Sequence, residues 1–387
     1  MWGIGNMVKT ERKSNFELMR IISMLFIVIY HVILHSGLFD TTTKTAYMLI
    51  MFLNALILVH VNSFAILSGY FQSSSKFRLS KIISINTLTW FYKSLFLIIF
   101  ILLSKYTVYK VEISMIDTIE TLLPIDFGTY WFVNCYMVTY ILSPFLNKLI
   151  EQLNQHQLKK LIYIMILLFC IIPVLTIERF IYTTNGRSLF TFILLYFVGA
   201  YLRKYPVENN YLFKKYTRTA KKNIFMILYL MLATFNFFVA IVGKDLSNYG
   251  TLASQIGKIM ITSATNFLSP ILILQSIFYF LIFTQIDLKS KFVNGIAKST
   301  FGVYLIHENY YIRNNLYNYL GITIANNPSS KIIIVVLTLS ICLFVISVII
   351  DKIRSLFSKL IMKSKIMIKF ITYVKIKCTA LGLNINW

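Results

Sequence analysis

Long runs of apolar residues alternate with short polar segments along almost the whole chain. A helix needs about 20 predominantly apolar residues to cross a hydrocarbon layer of about 30 Å. Ten runs approach or exceed this length, and they lie near residues 16–37, 46–70, 82–104, 130–147, 159–177, 188–202, 223–243, 259–284, 295–312 and 332–350. The pattern predicts an all-α, polytopic integral membrane protein with about ten transmembrane helices.

The composition supports a membrane protein and argues against a soluble one. Hydrophobic residues make up 57% of the chain and charged residues 13%, whereas soluble domains carry about 25% charged residues. The formal net charge of +24 is also typical of nucleic-acid-binding proteins. Such a protein would not need repeated apolar runs of membrane-spanning length, so we predict a lipid bilayer and no nucleic acid as partner.

The basic residues predict the orientation of the chain. One set of alternate connecting segments holds roughly three times as many Lys and Arg residues as the other set. Cytoplasmic loops carry such an excess, so both termini are expected in the cytoplasm. We therefore predict a transmembrane domain over residues 1–350 and a basic, amphipathic cytoplasmic tail over residues 351–387, which would lie on the anionic inner leaflet.

The first apolar run contains three ionisable residues, Glu17, Arg20 and His31. Ionisable side chains inside membrane helices are costly and mark functional sites. Arg20 and His31 are eleven positions apart, so in a helix they project from nearly the same face, about 16 Å apart along the axis. Glu17 precedes Arg20 by three residues and can orient or partly neutralise it. The alternative is that both residues are structural, with Arg20 snorkelling to the membrane surface and His31 hydrogen-bonded in the interior. Their position on one helix face favours a functional role.

Several short motifs, taken in order, resemble the membrane-bound acyltransferase 3 family. A basic residue, ten intervening residues and a His mark the first helix of that family, and Arg20 and His31 match this pattern. Further resemblances follow along the chain at Ser68-Gly69-Tyr70, Arg78-Leu-Ser-Lys81, Trp131-Phe132 with Tyr140 and Pro144, and Phe301-Gly-Val-Tyr304-Leu-Ile-His307. Lys81 departs from the family pattern, which has Arg there. Gly69 is also predicted to allow close helix packing.

The resemblance implies a membrane O-acyltransferase of a bacterial plasma membrane. Such an enzyme would be an O-acetyltransferase that takes acetyl from cytoplasmic acetyl-CoA. Its acceptor would be a sugar hydroxyl of a cell-envelope polysaccharide or of the lipid-linked precursor, and glycan-assembly machinery would be a partner. Acetyl-CoA, or another acyl-CoA, is then a donor substrate, and no bound cofactor is expected.

The predicted roles of the site residues follow from this reaction. His31 would be the general base for the attacking hydroxyl, and a transient acyl-His is the competing role. Glu17 is placed with it in the catalytic set. Arg20, Arg78 and Lys81 would bind the phosphates of the donor, with Arg offering bidentate contacts and Lys a point charge. For Arg78 and Lys81 the alternative is an ordinary positive-inside role.

Other residues are weaker candidates. His307 and Tyr304 from the ninth run, and Trp131 from the fourth, are candidates for supporting or acceptor-binding positions. Trp131, with Tyr130 and Tyr136, is also predicted as part of an outer interfacial aromatic belt. His35, one turn beyond His31, is interpreted as an interfacial His outside the catalytic set. No metal site is predicted, because the four cysteines lack ligand spacing.

Two functions of other kinds remain as alternatives. A polysaccharide transporter or exporter would need a polar pathway but no base opposite a cationic donor site. A polysaccharide polymerase would be expected to carry a large outer loop rich in Arg, which the sequence lacks. The pairing of Arg20 with His31 favours the acyltransferase.

Overall fold

The structure is a computed structural model that describes residues 12–40, 43–107, 115–122, 130–176, 184–325 and 327–363. Within these ranges the chain is almost entirely helical and contains no strand. The helices are α1 Ser14–His35, α2 Lys44–Ile57, α3 His60–Gln72, α4 Leu79–Tyr106, α5 Met115–Leu122, α6 Trp131–Gln152, α7 Gln155–Ile166, α8 Ile172–Leu175, α9 Leu189–Lys204, α10 Tyr211–Lys214, α11 Arg218–Leu246, α12 Thr251–Thr265, α13 Pro270–Thr284, α14 Lys291–Ala297, α15 Thr300–His307, α16 Tyr310–Ala325 and α17 Ile332–Lys363. The predicted all-α class is confirmed.

Seven helical segments are long and apolar enough to cross a membrane by length and composition. They are Ser14–His35, Lys44–Gln72, Leu79–Tyr106, Gln155–Leu175, Arg218–Leu246, Thr251–Thr284 and Ile332–Ser358. Apolar side chains on the outer helices, such as Ile98, Phe238 and Ile346, are more than half exposed, as expected of a surface that faces lipid. The protein is therefore a multi-pass membrane protein.

Three of the ten predicted runs are not among these seven segments. The run at 130–147 corresponds to α6, and the run at 188–202 to the 16-residue α9. The run at 295–312 differs from the expected single helix, because the chain forms α14, α15 and the start of α16 there. The exact number of crossings and the cytoplasmic side of the termini stay predictions.

Helix α1 lies at the centre of the bundle and packs against α2, α3, α13, α14, α15, α16 and α17. Its buried side chains include Met19, Val28 and Val32, none of which is accessible to solvent. The run of residues 21–30 is nearly continuously apolar, and a helix that is apolar on all sides is expected to be surrounded by other helices. Polar residues within α1 are thereby held against fixed neighbours.

Helices α3 and α9 pack closely against each other. A Cβ atom on Gly69 would overlap the backbone of Tyr196, and one on Gly199 would overlap the backbone of Ile66. Small residues at a crossing let two helix backbones approach each other, which favours association in membranes. The predicted packing role of Gly69 is confirmed.

Helix α17 continues beyond the predicted domain boundary at residue 350 and ends at Lys363. The remaining part of the predicted basic tail, residues 364–387, lies outside the described residues. Amphipathic binding of this tail to the membrane surface stays a prediction.

We expect Gly199→Ala to lower the free energy of unfolding by about 1–3 kcal/mol, because the added methyl group overlaps the backbone of α3. Gly295→Ala is the matched control, since no heavy atom lies within 4 Å of its added Cβ and Ala gains up to about 1 kcal/mol of helix propensity. Thermal unfolding in detergent micelles, followed by circular dichroism, measures both. Equal stability of the two variants would contradict the close packing of α3 and α9.

Candidate active site

A cluster of three histidines and one glutamate lies where α1 meets the junction between α15 and α16. His31 Nδ1 is 3.0 Å from His307 Nε2 and 3.0 Å from Glu308 Oε2. His35, one turn further along α1, places Nε2 3.2 Å from the same oxygen of Glu308. His307 and Glu308 are almost fully buried, and His31 is slightly accessible. Residues more than 270 positions apart in sequence thus share one site.

The hydrogen bonds define which nitrogen of His31 is available for chemistry. His307 Nδ1 lies 2.6 Å from the carbonyl of Val303, and a carbonyl only accepts, so this nitrogen carries the proton. In a neutral ring His307 Nε2 is then an acceptor. His31 Nδ1 faces two acceptors, His307 Nε2 and the carboxylate, and must donate. His31 Nε2 is left with its lone pair, and no described residue bonds to it.

Glu308 is surrounded by hydrogen-bond donors. Its Oε2 accepts from His31 and His35, and its Oε1 lies 3.3 Å from Arg313 Nη1. A carboxylate with donors on both oxygens is arranged for its ionised form. A negative charge beside His31 Nδ1 fixes the ring orientation and stabilises an imidazolium, which is the role of the carboxylate in a catalytic triad.

The interruption between α15 and α16 carries Glu308 into the site. Asn309 accepts a hydrogen bond from the backbone N–H of Tyr311 at 3.1 Å, as a side chain capping the start of α16 does. The hydroxyl of Tyr130 donates to the carbonyl of Leu305 at 2.8 Å and lies 3.3 Å from Asn309 Nδ2. Tyr130 is fully buried. Its prediction as an interfacial belt residue was therefore wrong, because the hydroxyl is needed to hold the broken helix.

At the other end of α1, Arg20 and Glu17 form a tight ion pair. Arg20 Nη1 is 2.6 Å from Glu17 Oε1, and Arg12 Nη1 is 3.6 Å from the second oxygen. The guanidinium of Arg20 lies over the ring of Phe71 at 5.5 Å. Glu17 is about 21 Å along the axis from His31. It orients Arg20, as the spacing predicted, and any catalytic role for it would act through that residue.

Lys81 and Arg78 lie beside Tyr136 and Tyr140, in the interior of α6. Lys81 Nζ is 4.3 Å from the ring centroid of Tyr140 and 5.3 Å from that of Tyr136. The backbone N–H of Arg78 donates to the hydroxyl of Tyr140 at 2.9 Å, and its side chain is exposed. Gln72, next to Phe71, donates to Tyr136 at 2.9 Å. Arg20 contacts Phe71, and the neighbouring Gln72 contacts Tyr136, so this basic pair lies close to the region of Arg20.

Tyr304 and Trp131 lie near the histidine cluster to different degrees. The rings of Tyr304 and His307 are 6.0 Å apart in an edge-on arrangement. Trp131 stacks on Phe267 at 6.4 Å, and Phe267 contacts the ring of His60 at 5.5 Å. Tyr304 thus touches the cluster directly, whereas Trp131 approaches it through other rings.

His60 is a feature that the sequence did not single out. It is 1% exposed, and both ring nitrogens lack a hydrogen-bond partner among the described residues. Its ring packs 5.0 Å from Tyr30, the residue before His31. A continuous row of rings therefore runs from Trp131 to the neighbour of His31.

Sequence reasoning also missed the roles of Glu308 and His35. His35 was predicted outside the catalytic set, but its contact with Glu308 places it in the cluster. The spacing of four residues between His31 and His35 was a signal for a shared helix face. For Glu308 the signal was its position directly after His307 in an apolar run. A charged side chain there is destabilising unless it has a partner.

Among the described residues, His31, His35 and Glu308 present donor atoms within 4.8 Å of one another, a spacing that could hold a metal ion. Two His nitrogens and a carboxylate are also a common ligand set for transition metals. The same atoms, however, already satisfy one another by hydrogen bonds, and Arg313 adds a positive charge beside the carboxylate. The arrangement favours proton transfer over metal binding.

Fold and site together define a multi-pass membrane protein with a carboxylate-supported histidine at the junction of a broken helix. A family model described as an acyltransferase domain matches residues 13–350. The chain belongs to this family, the acyltransferase 3 family, as the motifs predicted, and is a membrane acyltransferase. No curated protein and no solved structure matches the chain.

We expect Glu308→Gln to lower the rate of acyl transfer by about 10²- to 10⁴-fold, the range for loss of general acid–base catalysis. The amide keeps the size of the side chain but removes the charge beside His31 Nδ1. Steady-state acyl transfer by the purified protein measures the effect, and Glu151→Gln, an exposed site, is the control. A rate within about three-fold of wild type would exclude a role for this carboxylate.

Proposed function

We propose that this acyltransferase is an O-acetyltransferase of a bacterial plasma membrane. It would transfer acetyl from cytoplasmic acetyl-CoA to a sugar hydroxyl of a cell-envelope polysaccharide or its lipid-linked precursor, alongside glycan-assembly machinery. The observation that carries the proposal is that His31 Nδ1 contacts both Glu308 and His307, an arrangement that leaves the lone pair of Nε2 to a substrate.

His31 acts as the general base in the proposed reaction. Its Nε2 takes the proton of the acceptor hydroxyl while that oxygen attacks the carbonyl carbon of the thioester. The C–S bond then breaks, and the imidazolium returns the proton to the departing thiolate of coenzyme A. Glu308, 3.0 Å from Nδ1, stabilises the positive charge that His31 carries between these two transfers.

An acyl-His intermediate remains the competing route. In that route Nε2 attacks the thioester carbonyl and coenzyme A leaves as the thiolate. In a second step the acceptor hydroxyl attacks the acetyl carbonyl, and the histidine nitrogen leaves. The same lone pair serves both routes. Rapid-quench measurement with labelled acetyl-CoA and no acceptor separates them, because only the second route leaves label on the protein.

The donor is proposed to bind along α1 with its phosphates near Arg20. Acetyl-CoA is polyanionic at its nucleotide end and uncharged at its thioester end, which agrees with a helix that is cationic near Arg20 and carries the base about 16 Å away. The pair with Glu17 leaves other donors of the guanidinium available. Lys81, held over two tyrosine rings, would supply a point charge, and Arg78 an exposed guanidinium.

The acceptor is proposed to approach from the side of Trp131 and Tyr304. Aromatic rings present apolar faces on which sugars stack, and Trp131 is partly accessible. The row of rings through Phe267 and His60 would lead from there towards His31.

The central test uses purified protein in liposomes with labelled acetyl-CoA and a glycan acceptor. We expect transfer of label by the wild type and by His156→Ala, an exposed histidine, and a loss of about 10²-fold or more with His31→Ala. Absence of transfer by the wild type, together with normal glycan flux in His31→Ala, would instead support the transporter.

We expect Arg20→Gln to raise the KM for acetyl-CoA by about ten-fold or more, the value of one charge-assisted contact, with a smaller effect on kcat. Initial rates at varied acetyl-CoA concentration measure both constants. Lys160→Gln, at an exposed position of α7, is the control. A fall in kcat at constant KM would place Arg20 outside donor binding.

A further inference from the structure

A cavity of about 660 Å³ lies at the end of α1 opposite the histidine cluster. Parts of α1, α3, α9, α11, α13 and α14, with the segment between α9 and α10, form its walls. Its volume falls within the range of about 300–1,000 Å³ found for small-molecule sites. None of the residues assigned to the proposed reaction lines it, so the cavity requires a separate explanation.

The rim of the cavity is cationic. It includes five basic side chains, Arg12, Lys13, Arg218, Lys289 and Lys291, against two carboxylates, Glu208 and Asp287. Both carboxylates have partners, since Asp287 lies 3.7 Å from Arg218 and Glu208 accepts a hydrogen bond from Gln285 at 2.9 Å. Lys13, Lys289 and Lys291 form no ion pair with any described residue. The excess positive charge is thus available to an anion from outside.

The walls also include aromatic rings. Phe16 packs between Tyr70 at 5.3 Å and Phe280 at 5.5 Å, and all three side chains line the cavity. Aromatic faces stack on nucleobases irrespective of their sequence identity, and lysines bind phosphate as point charges. An aromatic wall beside a cationic rim is therefore suited to a nucleotide.

The position of the cavity relates it to the proposed donor path. Phe16 lies one turn before Arg20 on the same face of α1, and it lies about 22 Å along the axis from His31. A group bound in the cavity is too far away to contact the reacting atoms. A long donor, however, could extend from the cavity past Arg20 to the base.

We propose that this cavity binds the 3′-phosphoadenosine end of the acyl-CoA donor. The adenine would stack on Tyr70, the partly accessible ring of the aromatic wall, which the buried rings of Phe16 and Phe280 support. The 3′-phosphate would contact Lys289 and Lys291, while Arg20 contacts the pyrophosphate. This assignment rests on the proposed function for the identity of the donor. An anionic lipid headgroup offers the same phosphate chemistry, but it has no base to fill the aromatic wall.

The direct test measures binding of adenosine 3′,5′-bisphosphate to the purified full chain by isothermal titration calorimetry. We expect the double variant Lys289→Gln/Lys291→Gln to bind about ten-fold or more weakly. Both lysines are exposed, so the variant should fold. The control is Lys214→Gln/Lys215→Gln, two exposed lysines at the end of α10 and outside the cavity, with affinity as in the wild type. Unchanged affinity of the cavity variant would overturn the proposal.

A second measurement separates the nucleotide from a lipid. With acetyl-CoA the cavity variant should show a higher KM, whereas with 3′-dephospho-acetyl-CoA its KM should match the wild type. An equal rise for both donors would overturn the assignment to the 3′-phosphate. So would bisphosphate binding that is unaffected by the variant while binding to phosphatidylglycerol vesicles is lost.

The two measurements also distinguish the failure of this site from the failure of the proposed reaction. Bisphosphate binding needs no acyl transfer, so it reports on the cavity even if the acceptor or acyl group differs from the one proposed. Variant-sensitive binding without any acetyl transfer would leave the nucleotide site standing and overturn the O-acetyltransferase. Acetyl transfer by the wild type, together with bisphosphate binding that the cavity variant leaves unchanged, would support the O-acetyltransferase and overturn the nucleotide site.

Discussion

The arrangement of the site depends on the need to pair one buried carboxylate. Glu308 is 6% exposed in the interior of a membrane protein, where an ionised group without partners would be severely destabilising. His31, His35 and Arg313 supply donors to its two oxygens. These contacts hold the junction between α15 and α16 against α1, and they also decide which nitrogen of His31 keeps its lone pair. The stability of this region and the geometry proposed for catalysis therefore depend on the same hydrogen bonds.

The interruption of the helix at Glu308 is what allows this pairing. In a continuous helix His307 and Glu308 would point about 100° apart, and only one of them could face His31. Ending α15 at His307 and capping α16 with Asn309 brings both side chains to the same nitrogen. Non-helical backbone at membrane depth must be buried in protein, and the hydroxyl of Tyr130 satisfies the Leu305 carbonyl that the interruption releases.

The sequence predicts the parts of this site that lie on one helix and fails where distant segments meet. The period of 3.6 residues was enough to place Arg20 and His31 on one face and Glu17 beside Arg20, as the structure has them. Glu308 could not be assigned, since its partner lies 277 positions away and the contact requires a break inside an apolar run. Tyr130 was misjudged for a related reason, because an aromatic residue near a helix end resembles a belt residue unless its hydrogen-bond partner is known. The all-α class followed from the apolar runs. The length of a run could not show, however, that residues 295–312 are divided among α14, α15 and α16.

The distribution of charge along α1 gives a physical reason for the direction of the proposed transfer. The end near Arg12 and Lys13 borders a cavity whose rim includes lysines that form no ion pair with any described residue, and the other end is neutralised around Glu308. A polyanionic donor would be attracted to the first end and not to the neutralised second end, so its charged part would stay near the cationic end while its uncharged thioester extends inward. A neutral sugar hydroxyl has no such preference for the cationic end and can reach His31. The same field would therefore hold the proposed donor with its phosphates away from the base and leave that nitrogen to the acceptor.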